Sequence, residues 1–328
     1  MKVLVTGATG FTGSHLARTL ARSGDSVAAL VRPRSVDRAA PLTEERIDVR
    51  VGDLSDAASV QRAAAGCELV YHIAATYREP GQSNSAYRRV NVEGTRHVLE
   101  AARAVGVRRV VHCSTGGVHG HVESPPADED APFSPGDVYQ RTKLDAELLA
   151  ADYGRTSGLD VVVARPIGIY GPGDTRFLKM FRGIARRRFP MLGRGEVFYH
   201  LTYIDDLVAG LRLCATVPAA AGRTYLLAGP EYTTLNQLVA LIAREVGVKP
   251  PAVHFPVWPV WLAGAVCEGI CLPLGIDPPL FRRRVDVDRK SRAFSTVRAR
   301  RELGYNPAVD LKTGIARTAA WYRSEGLL

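Results

Sequence analysis

Thr6-Gly7-Ala8-Thr9-Gly10-Phe11-Thr12-Gly13 is the stretch from which the rest of the chain is read. Lys2-Val3-Leu4-Val5-Thr6 ahead of it reads as a short buried strand. Residues 12–22 behind it carry helical periodicity, which Ser23-Gly24-Asp25 stops. The glycines therefore stand where a strand turns into a helix. Gly7 permits the tight turn, Gly10 lets backbone approach a pyrophosphate, and Gly13 lets helix and strand pack closely. Thr9, Phe11 and Thr12 complete the turn. The helix N-terminus offers unpaired N–H groups and a positive dipole end to phosphates. A bound dinucleotide is the expectation.

Further along, apolar runs at 26–31, 49–51, 69–73, 107–113 and 160–164 read as strands, with helices at 57–65, 91–105 and 139–153. Strand and helix alternate, which argues for an α/β, Rossmann-type, doubly wound parallel sheet covered on both faces. Past residue 172 the rhythm breaks and proline becomes denser. A dinucleotide-binding domain over 1–172, with 201–230 returning to it, is expected beside a smaller, mostly C-terminal substrate-binding domain over 173–200 and 231–328. Residues 233–246 and 312–323 read as amphipathic helices. The apolar stretch 253–276 holds Pro256, Pro259, Pro273 and Glu268, which count against a membrane span. A core helix or the wall of an apolar pocket, with Phe255, Trp258, Trp261 and Leu262 lining it, is expected there; a surface-skimming segment is the alternative.

At 328 residues, the chain is long enough for about two domains. Its 46% hydrophobic and 23% charged residues match a globular protein rather than a disordered one. Forty-three basic against 33 acidic residues leave a net charge of +10. Arg186-Arg187-Arg188, Arg282-Arg283-Arg284 and the arginines between 298 and 301 carry much of it, and no nucleic-acid-binding motif accompanies them. Solvated faces and an anionic cofactor are expected partners for this charge, and nucleic acid is not. Five cysteines with no C-x-x-C pair argue against a disulfide framework and a zinc site. The chain enters its first motif at once, without room for a signal peptide, so a reducing cytoplasm is expected. His121, His200 and His254 are isolated and read as surface or core residues, not metal ligands.

Ala28-Ala29-Leu30-Val31-Arg32-Pro33-Arg34 closes the second strand with two arginines, and no carboxylate follows before Asp37. NAD usually meets an acidic residue here, whereas the 2′-phosphate of NADP needs a cation. Guanidinium suits a phosphate bidentately, so Arg32 points to NADP, with NAD the alternative. Asp53, after the third strand, is placed to accept from an adenine amino group.

Tyr139-Gln140-Arg141-Thr142-Lys143 sets a phenol and an ammonium four residues apart, on one helix face. A neighbouring cation stabilises phenolate, so Lys143 is expected to lower the Tyr139 pKa and ready it for proton exchange. Ser114 and Thr115 follow a strand at its C-terminal end, where ligands sit in such folds. A hydroxyl there would orient the substrate oxygen; a local cap is the bland alternative.

Together these pieces resemble the extended short-chain dehydrogenase/reductase family, the NAD(P)-dependent epimerases, dehydratases and steroid-type dehydrogenases. The resemblance rests on the glycine turn, Gly52-Asp53-Leu54, Asn91-Val92-Glu93-Gly94-Thr95, Ser114-Thr115-x-x-Val118-His119-Gly120, Tyr139-x-x-x-Lys143, Arg165-Pro166-x-x-x-Tyr170-Gly171-Pro172-Gly173-Asp174 and Tyr203-Ile204-Asp205-Asp206. It implies that Thr115 is the catalytic hydroxyl, with Ser114 as fallback, and that Tyr139 is the general acid/base. It further implies that Leu54, Ala74, Ala75, Asn91, Pro166 and Ile167 border the coenzyme, and that Lys143 grips its ribose. A homodimer is implied by the same analogy. The chain departs from the sugar-nucleotide members at Gly168 and at His200-Leu201, and from the dehydratases at Gly116-Gly117; His119 replaces a usual tyrosine. The ending Glu302-Leu303-Gly304-Tyr305, Gly314-Ile315, Trp321-Tyr322 is similar to the 3β-hydroxysteroid and flavonoid-reductase-like branch. An oxidoreductase acting on a secondary alcohol or ketone of a bulky apolar small molecule is expected. A nucleotide-sugar 4-epimerase and a non-catalytic NAD(P)-binding regulator are the alternatives.

Overall fold

Alternate residues of each apolar run face opposite sides, and both sides are buried. In β1 (Lys2–Thr6), Val3 and Val5 join one apolar cluster and Leu4 joins the other. In β2 (Ser26–Val31), Val27, Ala29 and Val31 go one way, Ala28 and Leu30 the other. Such two-sided burial belongs to a parallel sheet with helices on both faces. The computed structural model describes every residue except 78–81, 272–273, 275–277 and 279–289. Arg282-Arg283-Arg284, Pro273 and Ile276 lie outside the described residues.

β3 (Asp48–Val51), β4 (Leu69–His72), β5 (Arg109–Cys113) and β6 (Asp160–Pro166) complete the expected set, and Thr224–Leu227 adds an edge strand. The spatial order is Thr224–Leu227, β6, β5, β4, β1, β2, β3, with every pair parallel. Strand order reverses between β1 and β4, where Thr6 pairs with His72. The C-terminal ends at such a switch point diverge and leave a crevice. On one face the apolar cluster continues from the sheet through Leu211 and Leu238 to Ile315 and Tyr322. The C-terminal helices thus share the core of the sheet.

Two expectations are corrected. The helix expected over 91–105 is Gly94–Ala104, entered through Asn84–Arg88 and a wide π-type turn at Arg89–Glu93. There Asn91 is turned inward and its carboxamide bonds the Thr76 backbone. Second, the 253–276 stretch forms, over its described residues, a helix at Val257–Cys271 that is not a core helix and lies at the surface, the alternative expected for it. Of its residues only Gly264 is buried. Apolarity shows what water disfavours; it does not supply the neighbour to pack against. Among the described residues no helix is long and apolar enough to cross a membrane, and all five cysteines are free thiols.

Candidate active site

The crevice at the switch point is a cleft of about 490 Å³. Its floor is the glycine turn. Gly7 holds φ +76°, and a Cβ there would sit 2.8 Å from the Ala74 nitrogen. A Cβ on Gly13 would overlap the Gly7 carbonyl oxygen. Gly10 caps the Phe11–Arg22 helix without a side-chain acceptor, and no acidic residue enters the first turn. That end of the helix is therefore suited to an external anion. Cradle, cap and cleft together fit a dinucleotide.

Most residues singled out in the sequence line this one cleft: Gly7, Thr9, Gly10, Phe11, Thr12 and Gly13, then Arg32, Asp53, Leu54, Ala74, Ala75, Ser114, Thr115, Tyr139, Lys143 and Pro166. Two do not. Asn91 is buried, with its amide shared between Thr76 and Thr142. Ile167 packs its side chain beneath Gly116, where a Cβ would collide with it. Tyr77, Arg38 and Arg176 line the cleft unforeseen. Arg38 follows Arg32 in the 3₁₀ turn Pro33–Ala39, held by Ser35 Oγ at 2.8 Å. The available signal for Arg176 was its place two residues after Asp174, which it pairs with at 2.6 Å.

At the end of the cleft beside Arg32, Ser55 N and Ser55 Oγ donate to Asp53 Oδ1 at 2.8 and 2.7 Å. Partial burial works to raise the Asp53 pKa, but those donors and the charges of Arg32 and Arg34 hold it below the usual range. An ionised acceptor results.

At the other end, Asp137 caps the Val138–Ser157 helix through Gln140 N at 2.8 Å and so aims Tyr139 from its first turn. The Tyr77 ring meets the Tyr139 ring edge-on, centroids 4.7 Å apart. Burial pushes the Tyr139 phenol well above its ordinary value, Cys113 and Tyr77 add to this, and Arg176 draws it back. The Tyr139–Lys143 spacing predicts a lowered pKa. Instead desolvation outweighs charge, and the Lys143 ammonium donates to the Cys113 carbonyl at 2.7 Å. A phenol so placed is protonated at neutral pH. Thr115 Oγ1 accepts from Gly117 N at 3.1 Å, which leaves its own hydrogen for a ligand in the cleft. Ser114 is engaged elsewhere: its hydroxyl donates to Glu147 Oε2 at 2.5 Å. Arg165, buried, donates to Glu147 Oε1, faces His119 Nε2 at 3.0 Å and reaches the Glu129 carbonyl at 2.7 Å.

A hydrogen-bonded chain joins the two ends beneath the cleft. Thr6 Oγ1 accepts from Ile73 N and Ala74 N, both at 3.1 Å, and lies 2.9 Å from His72 Nδ1. With both lone pairs occupied, the hydroxyl hydrogen goes to Nδ1. Nε2 then carries the ring hydrogen and gives it to Thr95 Oγ1 at 3.0 Å, and Thr95 donates onward to the Asn91 carbonyl at 2.7 Å. Asn91 Nδ2 donates to Thr142 Oγ1 at 3.0 Å, and Thr142 to the Tyr139 carbonyl at 3.0 Å. Bond by bond, the coenzyme turn is tied to the helix that carries Tyr139.

This arrangement requires neutral His72. Burial pulls its pKa down to about 3, with the Lys143 charge adding to the shift. The unfolded chain, with an ordinary imidazole near 6.5, takes up the proton first as pH falls. Stability from this residue is therefore complete above about pH 6.5 and is lost progressively toward pH 3. His72→Gln removes the titration while keeping an amide. Urea unfolding across that window is expected to show wild type losing ground to the variant, by about 1.4 kcal/mol per pH unit at the steepest. Parallel curves would contradict the assignment.

The profile of the NAD dependent epimerase/dehydratase family matches residues 3–228. The "sterol demethylase protein B" of Methylococcus capsulatus is 32% identical, with 100% of both chains covered. The "2-alkyl-3-oxoalkanoate reductase" of Stenotrophomonas maltophilia is 34% identical over 98% of this chain and 99% of its own. Among solved structures, the DesIV dTDP-glucose 4,6-dehydratase of Streptomyces venezuelae, a double mutant with NAD and DAU bound, superposes with a TM-score of 0.78 at 26% identity, covering 100% of each chain. Seven parallel strands, a glycine cradle and these relatives agree: the chain belongs to the NAD-dependent epimerase/dehydratase family and is an enzyme of the extended short-chain dehydrogenase/reductase type.

Proposed function

We propose that the enzyme prefers NADP and moves a hydride between its nicotinamide and a secondary alcohol or ketone of a bulky, apolar small molecule. One observation carries this reading: Tyr139, Thr115, the glycine turn and three arginines at the end of β2 line the same cleft. Gly7, Gly10 and Gly13 would hold the pyrophosphate, and Asp53 and Leu54 the adenine. Ala74, Ala75, Pro166 and Lys143 would border the ribose and ring. Bound nicotinamide supplies or accepts the hydride. Thr115 donates its free hydrogen to the substrate oxygen and holds it beside Tyr139, which delivers or removes the proton. Residues 173–200 and 231–328 are assigned to the substrate side.

Arg32, Arg34 and Arg38 support the choice of NADP, since guanidinium groups complement a 2′-phosphate. Arg32→Ala is expected to weaken NADPH binding about 10- to 100-fold, the equivalent of lost charged hydrogen bonds, while NADH changes little. Calorimetric titration with both coenzymes checks this; equal losses would remove the preference.

Relatives named for sterols and for 2-alkyl-3-oxoalkanoates support an apolar substrate. The likeness to DesIV favours a second reading, a nucleotide-sugar 4-epimerase. Local geometry weighs against it. Gly168 holds φ +42°, and a Cβ there would stand 2.5 Å from the His200 carbonyl oxygen, so the asparagine of the sugar-nucleotide members has no room. His200 accepts from Phe294 N at 3.3 Å and donates to the Gly229 carbonyl at 3.0 Å, which makes it a structural joint. Assays of sterol and aryl ketones against UDP- and dTDP-sugars separate the readings. A reductase consumes reduced coenzyme stoichiometrically, whereas an epimerase leaves its absorbance unchanged.

A further inference from the structure

The Val257–Cys271 helix has no polar face. Glu268 is its single charged residue, and a helix apolar all round is ordinarily buried. Here Trp258 is 69% exposed, Leu262 51%, Val266 54% and Ile270 60%. Spaced four apart, they form one ridge. Phe255, on the strand that leads into the helix, and Val253 just before that strand are exposed as well. At 1.5 Å per residue the helix is about 22 Å long, short of the ~30 Å hydrocarbon core, so it suits lying on a bilayer and not crossing one.

Cations flank this surface. His254–Phe255 pairs with Met191–Leu192, which the exposed Arg186-Arg187-Arg188 run precedes by three residues. Exposed Lys249 approaches from the same end of this small sheet. At the other end Gly193 packs on Val257, and exposed Arg194 follows it. Among the described residues no carboxylate pairs with these five cations; Glu196, Glu245 and Glu268 are the acidic neighbours in sequence. A second copy of the chain is the poorer occupant, because an isologous contact sets this basic rim against itself. Lipid phosphates neutralise it.

We propose that this patch docks the enzyme on an anionic membrane surface, the Trp258–Ile270 ridge entering the headgroup–acyl boundary and Arg186, Arg187, Arg188, Arg194 and Lys249 meeting lipid phosphates. The inference stands apart from the identity of the substrate.

The test is co-sedimentation of the full chain with vesicles of phosphatidylcholine alone or mixed with phosphatidylglycerol. Wild type is expected to bind the mixed vesicles about tenfold more, and high salt to release it. Trp258→Glu/Leu262→Glu is expected to stay in solution with an unchanged melting temperature. Arg186→Glu/Arg187→Glu is expected to lose the preference for phosphatidylglycerol. The proposal is overturned if wild type ignores both vesicles or if the ridge variant still sediments. It is equally overturned if the ridge variant melts early, which would mean a ridge packed inside the protein. Light scattering that finds a dimer split by the ridge variant, with vesicle binding unaffected, would assign the patch to a second copy.

Discussion

Tyr139→Phe is expected to leave the coenzyme bound and to lower kcat by 10²- to 10⁴-fold, the usual worth of a positioned acid/base. Phenylalanine keeps the ring that packs edge-on against Tyr77 and keeps the first turn capped by Asp137, so only the proton is lost. Because burial holds the phenol protonated, the loss should be seen as carbonyl reduction that no longer completes. Coenzyme affinity by calorimetry and turnover by reduced-nicotinamide absorbance must be read together. A drop in both would indicate a collapsed cleft. Turnover within a few-fold of wild type would remove Tyr139 from the chemistry.

Glu147→Leu is expected to cost about 3–5 kcal/mol of folding stability. Glu147 and Arg165 are a buried pair, each side chain 4% exposed. Removing the carboxylate leaves the guanidinium inside the protein facing His119 Nε2, the Glu129 carbonyl and the Phe133 ring, with no carboxylate hydrogen-bonded to it, and it takes the acceptor from Ser114. Coulomb energy alone does not set this cost; an uncompensated charge away from water does. Glu147→Leu with Arg165→Met removes both charges and should recover much of the loss. Urea unfolding of the three proteins decides it. A single variant within about 1 kcal/mol of wild type would show that water reaches Arg165.

The Glu147–Arg165 pair also marks a boundary of what a sequence discloses. Nothing in the 17 residues between them shows that a helix and a strand turn these charges toward each other, or that Ser114 spends its hydrogen there and leaves Thr115 to the cleft. Asn91 stood in a coenzyme-associated motif; the π-type turn spends its amide on Thr76 and Thr142 instead. Arg176 reaches Tyr139 from a loop 37 residues away, and no local pattern announces a through-space charge.

Local rules, by contrast, were sufficient where the physics is local. Glycines at the first strand–helix turn, two-sided apolar runs and a phenol one helical turn before an ammonium each depend on residues within a few positions of one another. From them the sequence by itself determined a doubly wound parallel sheet, the glycine turn at its switch point and the phenol and ammonium that line the same cleft. The tertiary structure alone decided which of those groups stay available. Burial raises the Tyr139 phenol that Lys143 was expected to lower, hydrogen-bond partners far along the chain occupy Ser114 and Asn91, and the apolar 257–271 helix keeps Trp258, Leu262, Val266 and Ile270 exposed. Desolvation and hydrogen-bond pairing are properties of what surrounds a residue, and surroundings exist only once the chain has folded.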